Sequence, residues 1–400
     1  MIELLFAVML GLFVGCACGI FPGLHPNSTI PIILGFSFLF QPLEAAIILI
    51  SAGVTNSFVS FIPAVFLGAP EADSALSVLP GHRLLLQGRG FEAVRLTVVG
   101  GLGATFLAIL LLPVFSLTIP SVYHLIRPVL HWILLALVFY MIMGEEGFKN
   151  KILAAYVFLL SGMLGYVAIN YMSVKEILFP LLTGLFGLPL LLLSVKRNVK
   201  LPESFSFEYE RIKRRSVISG IGIGSLAGII AGLLPGLGSS QATVIAQEAV
   251  GHKSDRNFLI AIGGVNTSDV IYSLLALYLI GNARSGIAVA VGNMIAVGFN
   301  HVLLFLCVIV ASAGVAAYIT IRMTRKFVFF LKRMDYRRLC LHIFVLLFAL
   351  VAIFSGSTGL VVALVALSIG LIPNIVGIKR SHCMGCLLLP TILLFAGLSF

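Results

Sequence analysis

Apolar stretches run almost from end to end of this chain, and they constrain its fold more than any other feature. Between Ile2 and Phe21 the only charged side chain is Glu3. Comparable stretches cover 29–41, 44–67, 92–119, 122–143, 151–170 and 174–195, and then 216–234, 241–250, 257–281, 285–320, 339–355, 357–377 and 384–400. About 20 consecutive apolar residues in a helix match the hydrocarbon thickness of a bilayer. The chain is 60% hydrophobic and 10% charged over 400 residues, whereas a soluble domain carries roughly a quarter of its residues as charges. The sequence therefore predicts an all-α polytopic membrane protein of about 10–12 membrane segments, placed in the cell membrane. MIELLFAVMLGLFVG lacks the basic flank and small-residue cleavage site of a secretory signal, so it reads as a retained first span.

The net charge of +11 comes from 26 basic and 15 acidic residues. The basic residues concentrate in 195–216 (Lys196, Arg197, Lys200, Arg211, Lys213, Arg214, Arg215) and in 322–338, both assigned to the cytoplasm by the positive-inside rule. Spread through short loops, they suit anionic lipid and argue against nucleic acid as a partner. The chain has no P-loop, HExxH, GxSxG or dinucleotide fingerprint, so no enzyme is expected. HCMGC, 382–386, has a CxxC spacing without a second ligand pair, so no metal site is expected.

The basic interval also divides the chain. GLFVGCACGIFPGL, 11–24, lies over GSLAGIIAGLLPGL, 224–237. Gly11, Gly15, Gly19, Pro22, Gly23 and Leu24 meet Gly224, Gly228, Gly232, Pro235, Gly236 and Leu237, each pair 213 residues apart. A second match pairs Gly53, Val54 and Ser57 with Gly264, Val265 and Ser268 at a spacing of 211. The expected organisation is a membrane repeat over 1–195, a basic cytoplasmic linker over 196–215 and a second membrane repeat over 216–400. The second repeat follows a basic loop, while the first has no basic side chain before Arg83. An outward N-terminus, and hence inverted repeats, fits best.

Repeated, interrupted spans at corresponding positions are a sequence pointer to a secondary transporter and its binding site. Pro22 and Pro26 cannot continue a helix, and non-helical backbone at membrane depth survives only inside protein or along a wet cavity. The segment after each break would start a half-helix whose N-terminus favours an anion. The expected substrate-binding residues are Pro22, Gly23, His25, Asn27, Ser28 and Thr29, facing Pro235, Gly236, Ser239, Ser240, Gln241 and Thr243, on two re-entrant hairpins. Plain glycine packing with a Pro-Gly turn between spans is the bland alternative. The expected ion-coupling residues are Thr55, Asn56, Asn266, Thr267, Ser268 and Asp269. An intramembrane carboxylate marks an ion or proton path by default, so Na⁺ or H⁺ is the coupling ion and no other cofactor is expected. For Asp269 the alternative is an ion pair with Arg284.

GCACGIFPGLHPN, FLGAPEADSALSVLPGHRLLLQGRG and GLLPGLGSSQATVIAQ resemble the large membrane subunit of tripartite tricarboxylate transporters, the TctA family. GIKRSHCMGCLLLP resembles the ending of its shorter, archaeal-type branch. The resemblance implies an ion-gradient-driven permease for small organic anions such as di- and tricarboxylates, with a small membrane subunit and an extracytoplasmic binding protein as partners, and it leaves a homo-oligomer open. The alternative function is a polyprenyl-phosphate (lipid phosphate) translocase using the same hairpins.

Overall fold

The computed structural model describes residues 2–21, 40–68, 72–172, 177–196, 213–233, 238–250, 255–281, 285–331 and 336–398. All regular structure among them is helical. Helix α1 is Ile2–Ile20, α2 Pro42–Val59, α3 Phe61–Phe66, α4 Val78–Leu86, α5 Gly90–Ile126, α6 Leu130–Met143 and α7 Phe148–Tyr171. Helix α8, Leu178–Lys196, carries a π-helical turn at Thr183–Gly187. The second half contributes α9 Arg214–Leu233, α10 Ser239–Val250, α11 Asp255–Ile280, α12 Gly286–Met294, α13 Phe299–Leu331, α14 Tyr336–Val376 and α15 Gly385–Phe395. Nine helices among the described residues are long and apolar enough to cross a bilayer. Helix α14 contributes two limbs to the stack. It breaks at Gly356, whose φ of 67° and ψ of −165° suit glycine alone, between the two stretches 339–355 and 357–377 predicted from sequence.

Local chemistry explains several boundaries. Pro42 occupies the first turn of α2, where its missing N–H costs nothing, and the Glu44 carboxylate accepts from the Gln41 N–H at 3.0 Å. Ser285 caps α12 by accepting from the Ala288 N–H at 3.2 Å. Phe6, Phe13, Phe106, Leu110, Trp132 and Ile353 stay exposed on the outside of the stack, where lipid tails meet them.

Glycine sets how the central helices meet. A Cβ at Gly11 would strike Ile48 and Ser51, one at Gly15 would strike Ala52 and Thr55, and one at Gly19 would strike Val59 and Ser60. Helices α1 and α2 therefore run parallel in close contact. A like set of contacts joins α9 and α11: Gly224 meets Ala261, Gly228 meets Val265 and Ser268, and Gly232 meets Tyr272 and Ser273. Every contact shifts by 213, so the register in space differs from the 211 read from the sequence. Asn56 takes the position of Asp269, and Thr55 that of Ser268. The coincidence of Gly53 with Gly264 misled because the two glycines do different work. Gly53 faces the Ile287 side chain, whereas Gly264 packs on Gly224 and Ala104.

Helices α2 and α11 are the interior of the stack, 94% and 89% buried over their spanning windows against 33% for α1. Their directions are opposite. The end of α3, Phe66, abuts Gly90 at the start of α5, and Phe58 abuts Gly101, so α2 and α5 are antiparallel. Helix α5 in turn runs with α11: Glu92 pairs with Arg256 at 3.2 Å, Gly263 meets the Thr97 carbonyl, and the Tyr272 hydroxyl donates to the Ala108 carbonyl at 3.4 Å. The third long helix of each half thus lies against the other half. Helix α13 reciprocates on α2, with Ser312 donating to Ser51 at 2.9 Å and Phe327 against Phe66.

These directions gather Arg83, Arg89, Arg256, Arg325, Lys379 and Arg380 at one end of the molecule. The positive-inside rule assigns that end to the cytoplasm. Helix α1 starts at the opposite end.

Candidate functional site

Helix α10 is the short element at the centre of the second half. Its 12 residues cover about 18 Å, roughly half a bilayer. Ser239 at its start lies beside Asp269, while Gln247 near its end lines a cavity with Asp255 at the basic end. It therefore runs antiparallel to α9 and α11, starting at mid-depth and ending toward the basic end. The N-terminus of this half-helix is ordered by Gln241, whose side-chain oxygen accepts from the Gly238 N–H at 2.9 Å, a reach-back that satisfies one of the first free donors.

Asp269 sits against that N-terminus. The Ser239 hydroxyl donates to one carboxylate oxygen at 2.7 Å, and the Ser273 hydroxyl donates to the other at 3.3 Å. A carboxylate there is favoured by the helix dipole as well as by the two hydroxyls. One turn earlier on the same face of α11 is Asn266, 3% exposed, with both amide atoms lacking a hydrogen-bond partner among the described residues. Such a group costs about 1–3 kcal/mol when left unsatisfied, so its retention in the interior marks a polar contact surface. Asn56 on α2, at the position equivalent to Asp269, is also buried.

The other expected site residues separate. Thr55, Thr243 and Thr267 donate their hydroxyls back to the carbonyls of Ser51, Ser239 and Gly263 within their own helices. Ser268 turns toward α9 and donates to the Ser225 hydroxyl at 3.4 Å. Gln241 is committed to capping, with a long 3.5 Å contact to the Thr391 hydroxyl. Ser240 lies in the first turn of α10. Pro22, Gly23, His25, Asn27, Ser28, Thr29, Pro235 and Gly236 lie outside the described residues, as does Arg284. Ser273 was missed from the sequence, although its spacing of four from Asp269 was the available signal. Cys383 and Cys386 are fully buried, and burial pushes the Cys383 thiol up to about 12. Among the described residues no three His, Cys, Asp or Glu side chains come together to hold a metal.

A stack of long apolar helices enclosing a half-helix and a hydroxyl-held carboxylate defines a multi-pass membrane protein with a polar site in its interior. The chain belongs to the tripartite tricarboxylate transporter TctA family, whose pattern matches residues 5–385. It is therefore a membrane component of a tricarboxylate-type transporter, from a family whose transporters have further subunits. It is similar to the uncharacterized protein MJ1079 of Methanocaldococcus jannaschii, 30% identical over 410 residues that cover 99% of each chain. A weaker similarity, 27% over 113 residues, covers 28% of this chain and 22% of an uncharacterized 52.8 kDa protein of Agrobacterium vitis encoded in the TAR-I ttuC' 3' region. No solved structure matches the chain.

Proposed function

We propose that the chain is an ion-gradient-driven permease for di- or tricarboxylates, in which the substrate anion and the coupling ion meet at the start of α10. The observation that carries this reading is the Asp269 carboxylate held by Ser239 at the N-terminus of a half-helix. A substrate carboxylate drawn to the same helix end meets Asp269 as a like charge. At about 4 Å and an effective dielectric constant near 20, that repulsion is about 4 kcal/mol. Na⁺ or H⁺ on Asp269 removes it, so the cation and the anion bind together more readily than either alone. The oxygens of Asp269, Ser239, Ser273 and Asn266 are the hard ligands a small cation takes. We place the two Pro-Gly breaks around this point as facing hairpin tips. In the same reading the two halves are inverted repeats, supported by the common 213-residue shift of their glycine contacts and the opposite directions of α2 and α11. A small membrane subunit and an extracytoplasmic binding protein would deliver the substrate.

The test is uptake of labelled citrate into proteoliposomes under imposed Na⁺ or H⁺ gradients. Wild-type protein should accumulate citrate against its gradient. Asp269→Asn, which is neutral without the cation, should still exchange citrate but lose dependence on the gradient. Unchanged gradient dependence in Asp269→Asn would remove this residue from coupling. Movement of polyprenyl phosphate without any carboxylate uptake would replace the substrate class with a lipid phosphate.

A further inference from the structure

A second polar site lies at the basic end, and neither the fold nor the central carboxylate uses it. The turn between the second limb of α14 and α15 carries Lys379, Arg380 and Ser381 over a cavity of about 270 Å³. Arg380 is 7% exposed. Its Nε donates to the Asn374 side-chain oxygen at 2.6 Å, but neither terminal guanidinium nitrogen has an acceptor among the described residues. Two other buried atoms on the same cavity are likewise without partners: the Ser381 hydroxyl and the side-chain oxygen of Gln247. Two acidic groups nearby, Asp255 and Glu145, are engaged with other partners. Asp255 pairs with Arg83 at 3.3 Å, and Glu145 holds the His382 ring at 2.9 Å and the Lys379 N–H at 3.0 Å.

A buried guanidinium without a counter-charge is costly, and its planar fork matches the two oxygens of a carboxylate or phosphate. Burial, with Arg83 nearby, lowers the Arg380 pKa only to about 10, so the group stays charged at neutral pH. One water occupies about 30 Å³ of liquid, so the cavity has room for a small oxyanion and several waters.

We propose that Arg380, with Ser381 and Lys379 beside it, forms a binding site for one oxyanion group, carboxylate or phosphate, at the basic end of the molecule. The site is separate from Asp269. Gln247 on its wall is eight residues along α10 from Ser239, about 12 Å at the helical rise. It stands whether or not the central site couples transport.

Thermal unfolding of the full-length protein in detergent, titrated with acetate, a monocarboxylate, and with inorganic phosphate, tests the proposal. The wild type should be stabilised by at least one of them, by mass action. Arg380→Gln should weaken that apparent Kd at least tenfold, Arg380→Lys should weaken it less, and Gly222→Leu, at a position remote from both sites, should leave it unchanged. A headgroup source is read separately, by native mass spectrometry from nanodiscs of phosphatidylcholine with or without phosphatidylglycerol. Retention of phosphatidylglycerol by the wild type and its loss in Arg380→Gln would support the site with a lipid phosphate as occupant. If Arg380→Gln does not fold, Ser381→Ala decides in its place. Anion and lipid binding unaltered by the decisive variant, or weakened as much by Gly222→Leu, would overturn the proposal.

Discussion

Asp269, half-buried, and Arg380, buried, show how differently two interior charges are treated. The carboxylate has a helix end and two hydroxyls, while the guanidinium has one neutral acceptor. Asp269 was legible because a carboxylate inside an apolar stretch stands out in any sequence. Arg380 was not, because it lies in a short polar turn and its missing partners exist only in three dimensions. The same turn sets the state of His82, which is 4% exposed on α4. Burial, reinforced by Arg380, holds its imidazole down to about 4 from an ordinary 6.5. The unfolded chain then takes up this proton at a higher pH than the folded one. Stability is therefore lost as pH falls from about 6.5 to about 4, by up to about 3 kcal/mol. Replacing His82 with Gln should flatten the pH dependence of Tm across that window. A profile identical to wild type would show that the imidazole is not the group responsible.

At the scale of elements, glycine is the organising residue. Gly263 lies against the Thr97 carbonyl and Gly100 against the Ile260 carbonyl, so α5 and α11 touch backbone to backbone. In lipid such close packing replaces the hydrophobic drive that water supplies elsewhere. Gly263→Leu would force these helices apart and should cost at least about 1–3 kcal/mol. Gly222→Leu on α9, where an added Cβ meets nothing within 4 Å, is the matched control and should leave Tm in place. Equal effects of the two would mean that close approach is not what the glycines provide. The sequence showed the glycine ladders of α1 and α9 because a four-residue spacing repeats visibly. It misplaced the register of their partners by two, since letters alone do not tell a glycine under Ile287 from one under another helix.

The whole molecule has a central pair of interior helices with opposite directions, each joined by the third long helix of the other half. The all-helical, multi-pass architecture was readable from hydropathy and charge. The exchange was not, since any of several helices could have covered those faces. It makes Ser51 and Ser312 neighbours although they lie on opposite sides of the linker. In a background without the six native cysteines, Ser51→Cys with Ser312→Cys should cross-link on mild oxidation. After cutting at a protease site engineered into 196–215, the two fragments should migrate as one band until reduced. Two separate bands under oxidising conditions would refute the exchange.

The close fit of α5 on α11 also has a bearing on biogenesis. The glycine face of α5 leaves the ribosome about 160 residues before its partner, and at about 5–20 residues per second that is roughly 10–30 s. Through that interval the bilayer holds an inserted helix whose small-residue face is covered by lipid or by a chaperone. A messenger truncated in the linker would strand it there permanently, which makes the first half by itself a substrate for membrane quality control.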